Sequence, residues 1–343
     1  MQKTAIVILN WNGQKLLERF LPALLMHTPA HLAEIIIADN GSTDGSESFL
    51  ATHYPQIRCM AFDKNYGFAE GYNRALSQLN HEYVVLLNSD VEVCARWLET
   101  ALNYLDTYPE VAALQPKLLD YKDKTAFEYA GASGGFLDIY GYPFCRGRIL
   151  ATVEKDLGQY DKPTEVFWAT GACLFIRLKD FREAGGLDKN FFAHQEEIDL
   201  CWRLKARGKK IVCFPQSVVY HVGGATLQME DPQKTFLNFR NNLFMVYKNL
   251  PEKYYHKVMI SRLFFDHLAA LHFLFKGYPA NALSVLKAWR DFNWQKKNYR
   301  IIRKENLKKT IDELPSGMFL HSVLWKYYIM NQKEYKQIFP NGE

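Results

Sequence analysis

The sequence predicts an α/β fold, a mostly parallel central sheet with helices on both faces, continued by a C-terminal helical extension. Three observations predict it. Short β-branched apolar runs recur through the first part, and between them apolar residues return at helical spacing; unbroken strands of that kind are covered on both faces. The chain has 343 residues, 48% of them hydrophobic, enough for one large domain or two ordinary ones with a sizeable core. Charge is uneven: residues 1–232 hold 23 Lys and Arg against 29 Asp and Glu, and residues 233–343 hold 19 against 8. A mildly acidic unit of net −6 is thus joined, near Asp231-Pro232, to a basic, aromatic helical region of net +11.

The elements follow in order. Residues 5–9 form a strand by their β-branched run, so close to Met1 that no leader peptide is expected. Residues 16–26 are helical by spacing, 34–38 are a second strand and 57–62 a third. A helix over 71–79 leads to a strand over 83–87, and 97–108 is a further helix. From 121 to 161 the periodicity fades, and glycines sit among aromatics and charges, which predicts long loops with short strands at most. Order returns as a strand over 173–176, a helix over 198–207 and a strand over 210–214. Helices are then expected over 236–247, 258–275 and 280–292. The longest apolar stretch, 268–275, is broken by His272, preceded by Asp266 and too short to span a bilayer. It suits an in-plane helix on an anionic membrane or a helical subdomain packed on the sheet. The six cysteines are scattered without C-x-x-C spacing, which predicts reduced thiols in a cytosolic protein and no zinc site.

Five segments carry candidate chemistry. Leu86-Leu87-Asn88-Ser89-Asp90-Val91-Glu92 sets acids at the carboxyl end of an apolar strand, where open α/β sheets place ligands. Asp90 and Glu92 are hard oxygen donors suited to Mg²⁺ or Mn²⁺ on a diphosphate; as a plain turn, Asp90 would be a cap. Asp39, closing the second strand before Asn40-Gly41-Ser42-Thr43-Asp44, can accept hydrogen bonds from a base or ribose, or simply shape an Asp/Gly/Ser turn with Ser42 or Asp44 as helix cap. Asn65, Gly67 and Asn73 flank a helix start whose backbone N–H groups suit phosphate, although the run is neither G-x-G-x-x-G nor a Walker A loop. Glu196-Glu197-Ile198-Asp199 crowds three carboxylates; Arg203 accounts for Asp199 at i,i+4, which leaves Glu196 and Glu197 as candidates for a general base. His221, followed by Val222-Gly223-Gly224, is either a structural imidazole or a ligand that completes a Mn²⁺ shell.

Together these motifs resemble an inverting nucleotide-sugar glycosyltransferase of family 2 with a GT-A fold, over residues 4 to about 250, and within it the rhamnosyltransferase-like branch of bacterial surface-polysaccharide synthesis. The resemblance rests on the order of Asn10-Trp11-Asn12, the Asp39 loop, Asn65–Asn73, Asn88-Ser89-Asp90, Thr170-Gly171-Ala172-Cys173, Glu196–Arg203, the His221 run and Arg240-Asn241-Asn242-Leu243 with Lys248. It implies that Asp39 binds the nucleobase with Asn10 and Trp11 beside it, and that the segment containing Asn65, Gly67 and Asn73 flanks ribose and diphosphate. It also implies that Asp90 and His221 hold Mg²⁺ or Mn²⁺, that Gly171 and Ala172 line the sugar pocket, and that Glu197, backed by Glu196, is the base. Asn88 stands where the first acid of the family's DxD motif is expected, with Glu92 as a substitute, and Glu197 stands where Asp is commoner. The implied partners are a nucleotide-diphosphate sugar and a saccharide or lipid-linked acceptor, with peripheral contact at an anionic membrane and no nucleic acid. The rival reading is a non-catalytic nucleotide-sugar-binding subunit of a membrane assembly complex, which Asn88 favours.

Overall fold

Strands and helices alternate from the first residues: β1 (Thr4–Asn10), α1 (Gln14–His27), β2 (Ala33–Asp39), α2 (Ser46–His53), β3 (Arg58–Ala61), α3 (Gly67–Ser77), β4 (Tyr83–Leu87), β5 (Val91–Val93), α4 (Trp97–Thr107) and β6 (Val111–Asp120). The computed structural model describes residues 2–223 and 231–340. Within them follow β7 (Gly135–Asp138), β8 (Pro143–Cys145), β9 (Arg148–Ile149), β10 (Thr152–Val153), β11 (Thr164–Glu165), β12 (Cys173–Arg177), α5 (Leu178–Ala184), α6 (Glu196–Ala206) and β13 (Lys210–His221). The main sheet has the order β11-β13-β6-β12-β4-β1-β2-β3, with β5 paired to β13. It is parallel from β4 through β3 and between β6 and β13; β12 runs antiparallel between β4 and β6. Apolar clusters fill both faces, which explains the unbroken hydrophobic strands.

One helix start differs from the sequence reading for a local reason. Helix α3 begins at Gly67, because Asn65 Oδ1 accepts the Gly67 N–H at 2.7 Å. Asp44, one of the two caps expected, stands just before the N-cap Gly45 of α2: its Oδ1 accepts the Ser46 N–H at 3.1 Å while Oδ2 accepts the Gln14 N–H at the start of α1 at 2.9 Å. One carboxylate therefore serves two helix termini.

The aperiodic stretch carries short strands among its loops, as the sequence allowed, and these pair into a second sheet. Its order is β10-β9-β8-β7-β14, where β14 (Met318–Phe319) comes from far along the chain and pairs in parallel with β7. All four residues of β7 are buried, so no alternation betrays the strand. Beyond the main sheet lie α7 (Pro232–Asn249), α8 (Glu252–Phe275), α9 (Pro279–Gln295), α10 (Arg300–Lys309), α11 (Val323–Tyr328) and α12 (Tyr335–Ile338). Leu243, Phe244 and Val246 of α7 and Val285 of α9 join the cluster that fills one face of the main sheet. Helix α8 spans 24 residues and is long and apolar enough to cross a membrane, which the stretch 268–275 alone is not.

Candidate active site

The first part of the site lies where β1 and β2 end in register, Asn10 opposite Asp39. Both side chains are fully buried. Asn10 Nδ2 donates to Asp39 Oδ2 at 2.8 Å, and the Ser42 N–H donates to Asp39 Oδ1 at 2.8 Å. Asn10 Oδ1 is buried without a partner. Gly41 is required here: its φ is +76°, and a Cβ would stand 2.6 Å from Lys64 Cα. Trp11 projects on the rim, 49% exposed. Asn40, which sequence reasoning passed over, ties this loop to the next. Its Nδ2 donates to Asn65 Oδ1 at 3.0 Å and to the Gly67 carbonyl at 3.1 Å, and its Oδ1 accepts the Tyr66 N–H at 3.0 Å. Asn73 is turned elsewhere: Nδ2 donates to the Leu187 carbonyl at 2.8 Å and Oδ1 accepts the Leu187 N–H at 2.9 Å.

The second part follows from strand pairing. Strand β5 sets Val91 opposite His221 of β13, which brings His221 Nε2 to 3.1 Å from Asp90 Oδ1. On the far side of the ring Nδ1 lies 3.2 Å from Glu128 Oε1. All three side chains are buried. Burial opposes a charged imidazole, but Asp90 and Glu128 outweigh it and push the ring up to about 10. Asn88 Nδ2 stands 3.5 Å from the same Nε2. Glu92 does not compensate for Asn88: it pairs with Lys124 at 2.6 Å, whose ammonium also lies over the Tyr220 ring. The acid that joins the cluster is Glu128, 38 residues after Asp90 in the aperiodic stretch, where only its place in the fold identifies it.

This pair fits a divalent cation. A carboxylate oxygen and an imidazole nitrogen 3.1 Å apart match the edge of an octahedral shell with bonds of about 2.1 Å. A carboxylate behind the other ring nitrogen is the usual support of a metal-bound histidine. Among the described residues no three such side chains converge on one point, so two protein ligands would leave most of the shell to water and phosphate. Gly224 lies outside the described residues.

The third part opens α6. Glu196 and Glu197 occupy its first turn, and Glu196 Oε2 and Glu197 Oε2 are both buried with no hydrogen-bond partner. Burial raises both carboxyls above the ordinary glutamate range, and the neighbouring Glu197 charge raises Glu196 further. Backbone N–H groups at Ile198 and Gly171 partly restrain Glu197. Asp199 behaves as expected of a structural acid. Burial works against its charge, yet Lys248 at 2.9 Å and Arg203 at 2.9 Å hold it below the usual range.

The approach to Glu196 is strained. Phe192, His194 and Gln195 have φ of +63°, +70° and +72°, a region non-glycine residues rarely occupy. Their surroundings fix them. The Phe192 carbonyl accepts the Phe68 N–H at 2.6 Å, and Gly67 admits the Phe192 ring where a Cβ would stand 2.5 Å from it. Asn241 Nδ2 of α7 donates to the carbonyls of Phe191, Ala193 and His194 at 2.9, 2.9 and 2.8 Å. Arg240 reaches the Asn190 carbonyl at 2.9 Å, and Asn242 reaches Gln195 Oε1 at 3.0 Å. The Arg-Asn-Asn run, which the sequence marked without a role, thus clasps the loop that leads to the two glutamates.

These parts meet. The Asn88 N–H donates to the Ala172 carbonyl at 2.9 Å. Adjacent Gly171 leaves a Cβ position 3.9 Å from Glu197 Cβ. The space at Gly13 is bounded by Asn10 Oδ1 and by Ser89 Oγ, which joins the Asp39 end to the Asp90 turn. Of the residues expected at the site, Asn10, Asp39, Asn88, Asp90, Gly171, Ala172, Glu196, Glu197 and His221 fall along this one path. Asn65 and Gly67 shape its edge, Trp11 stands on its rim, and Asn73 braces α3.

The fold carries the first comparison. The crystal structure of GalNAc-T7 with UDP, GalNAc and Mn²⁺ superposes on 96% of this chain and 57% of its own at a TM-score of 0.60 and 14% identity. A mannosyltransferase from Pyrobaculum calidifontis in complex with GDP-Man and Mn²⁺ covers 90% of this chain and 84% of its own, at a TM-score of 0.51 and 13% identity. The architecture is that of the GT-A glycosyltransferases. The chain belongs to glycosyl transferase family 2, whose model matches residues 5–183. Among curated proteins it resembles the N-acetylglucosaminyl-diphospho-decaprenol L-rhamnosyltransferase of Mycobacterium tuberculosis, 28% identical over 232 residues, 63% of this chain and 75% of that one. It also resembles the rhamnosyltransferase WbbL of Escherichia coli, 25% identical over 163 residues, 46% of this chain and 61% of the other.

Proposed function

We propose that the protein moves a sugar, a hexose or deoxyhexose, from a nucleotide-diphosphate donor to a hydroxyl of a saccharide or lipid-linked saccharide, with inversion. Glu197 takes the proton from the acceptor hydroxyl. The oxygen attacks the anomeric carbon from the face opposite the nucleotide, and the departing electron pair leaves with the diphosphate. Asp39, supported by Asn10, receives the nucleobase, and Gly171 and Ala172 give the sugar close access to backbone. Asp90 and His221, with Glu128 behind the ring, would hold Mg²⁺ or Mn²⁺, which supplies positive charge to the leaving diphosphate. The acceptor side, the basic C-terminal region and the reduced cysteines suit the cytosolic face of the plasma membrane.

The observation that carries this reading is the short path from the Asp90–His221 pair through Asn88, Ala172 and Gly171 to Glu197. A diphosphate sugar placed there has its leaving group at one end and a carboxylate without a counter-charge at the other. The non-catalytic alternative leaves that carboxylate pair unexplained, since burying unpartnered polar groups costs about 2–7 kcal/mol each. The test is release of nucleoside diphosphate from dTDP-, UDP- and GDP-sugars with and without Mn²⁺, in the native chain and in Glu197→Gln. Turnover confined to the native chain supports the assignment, and equal rates in the two remove Glu197 from the reaction. A thermal-shift series with the free diphosphates identifies the base.

A further inference from the structure

Helix α8 is built inside out. Its buried stripe is Val258, Arg262, Asp266 and Ala270, one residue per turn. The two charges in that stripe are 1% and 0% exposed and pair at 3.1 Å. Arg262 also donates to the Tyr140 carbonyl at 3.0 Å and to Asn242. Asp266 accepts from the Tyr142 hydroxyl at 2.7 Å and from Trp289 Nε1 at 3.0 Å. The opposite face presents Ile260, Leu263, Phe264, Leu268, Leu271 and Phe275, each between 46% and 90% exposed. A helix between core and water has the reverse arrangement.

Helix α9 extends the same kind of surface. Leu283 and Leu286 are about half exposed, and Lys287 and Arg290 share their face at helical spacing. From Glu252 to Lys309, ten Lys and Arg side chains are exposed against two acids, Glu252 and Glu305. Exposed apolar and basic groups thus occur together along these helices, with Lys253 engaged by Glu313.

We propose that α8 and α9 dock in the plane of an anionic bilayer, with the outward residues of α8 at the acyl boundary and the basic side chains among the headgroup phosphates. The Arg262–Asp266 pair decides the orientation. It fastens the helix by its middle to Asn242 and Trp289, so α8 lies along the surface instead of crossing. A second copy of this chain could cover the apolar residues but would bring two basic surfaces together; anionic lipid satisfies both features. The inference deepens the proposed reaction by setting the enzyme beside a lipid-linked acceptor, and its test is independent of catalysis.

The test is flotation of the full chain with vesicles of phosphatidylcholine, alone or with phosphatidylglycerol, at low and high salt. The native chain should float with the phosphatidylglycerol vesicles and lose most of that binding in high salt. The combined substitution Phe264→Glu, Leu268→Glu and Leu271→Glu, all at exposed positions, should weaken partition by about a hundredfold, and Lys287→Glu with Arg290→Glu by about tenfold. The triple variant should keep native melting behaviour and native donor turnover on a water-soluble acceptor. Absence of flotation, or equal flotation of the triple variant, overturns the inference. So does a light-scattering mass of two chains that the triple variant halves while neither form floats. Flotation intact in a chain that turns over no donor sinks the catalytic reading and leaves this one standing.

Discussion

The two acid clusters of the crevice are withdrawn from water, with Glu197 alone partly exposed, and they handle charge in opposite ways. At Asp90 and Glu128 each carboxylate faces an imidazole nitrogen of His221, at 3.1 and 3.2 Å. Among the described residues no cation answers Glu196 and Glu197, and an oxygen of each is left without a partner. The first arrangement stores negative charge in a balanced form that a cation and a diphosphate can take over. The second holds carboxyls whose proton affinity is raised by burial, the condition for accepting a proton near neutral pH. The lesson is that in this chain the neighbours, not the residue type, set the acids apart.

The sharpest way to break this contrast is Glu197→Gln. Transfer should fall by about a thousandfold while donor affinity holds, and the melting temperature should hold or rise, because a buried unpaired carboxylate is removed. A rate within a fewfold of native would erase the distinction. Asp90→Ala comes next: transfer should drop by about a hundredfold or more, and more Mn²⁺ should be needed for half-activation, as metal titrations of the rate would read. Asn241→Ala tests the clasp instead of the acids. Three loop carbonyls lose the amide donor, only that of Phe191 keeping Arg240, so kcat should fall by about tenfold and stability by about 1–3 kcal/mol, measured by rate and urea midpoint.

The pH profile sharpens the same contrast. The proposed base Glu197 must be ionised to take a proton, and its carboxyl is raised, so the acid limb of kcat/KM should lie above the ordinary glutamate value of about 4.3. For stability the sign is opposite. A raised carboxyl contributes stability below its unfolded value and loses it as pH rises through its folded one. The stability advantage of Glu197→Gln should therefore grow from acid to neutral pH. The smallest effect belongs to Asn73→Ala, which should cost about 1 kcal/mol and leave kcat unchanged; a large loss of kcat would return Asn73 to the ligand.

Most of the parallel half was legible because its signals are local. Apolar runs gave β1, β2 and β4, and polar residues at their ends gave Asp39 and Asp90. What escaped depends on pairing between distant segments. Glu128 reaches His221 only because β6 and β13 lie side by side, with Asp120 opposite His221. Asn241 matters because α7 lies against a loop some 50 residues earlier. The small sheet hid because β7 is buried throughout and β14 lies far along the sequence. The apolar content of α8 was plain, but the direction it faces is set by Arg262 and Asp266, whose partners come from three other elements.

That small sheet also orders events in time. Asp138 on β7 accepts the Val323 N–H at 3.0 Å, 185 residues away, and Phe136 and Phe144 are sealed by the Phe339 ring. A nascent chain emerging from the ribosome therefore presents an unfinished ribbon with two bare phenylalanines until residue 339 has cleared the exit tunnel. Chains cut short between Val323 and Phe339 should be insoluble, however intact the parallel half.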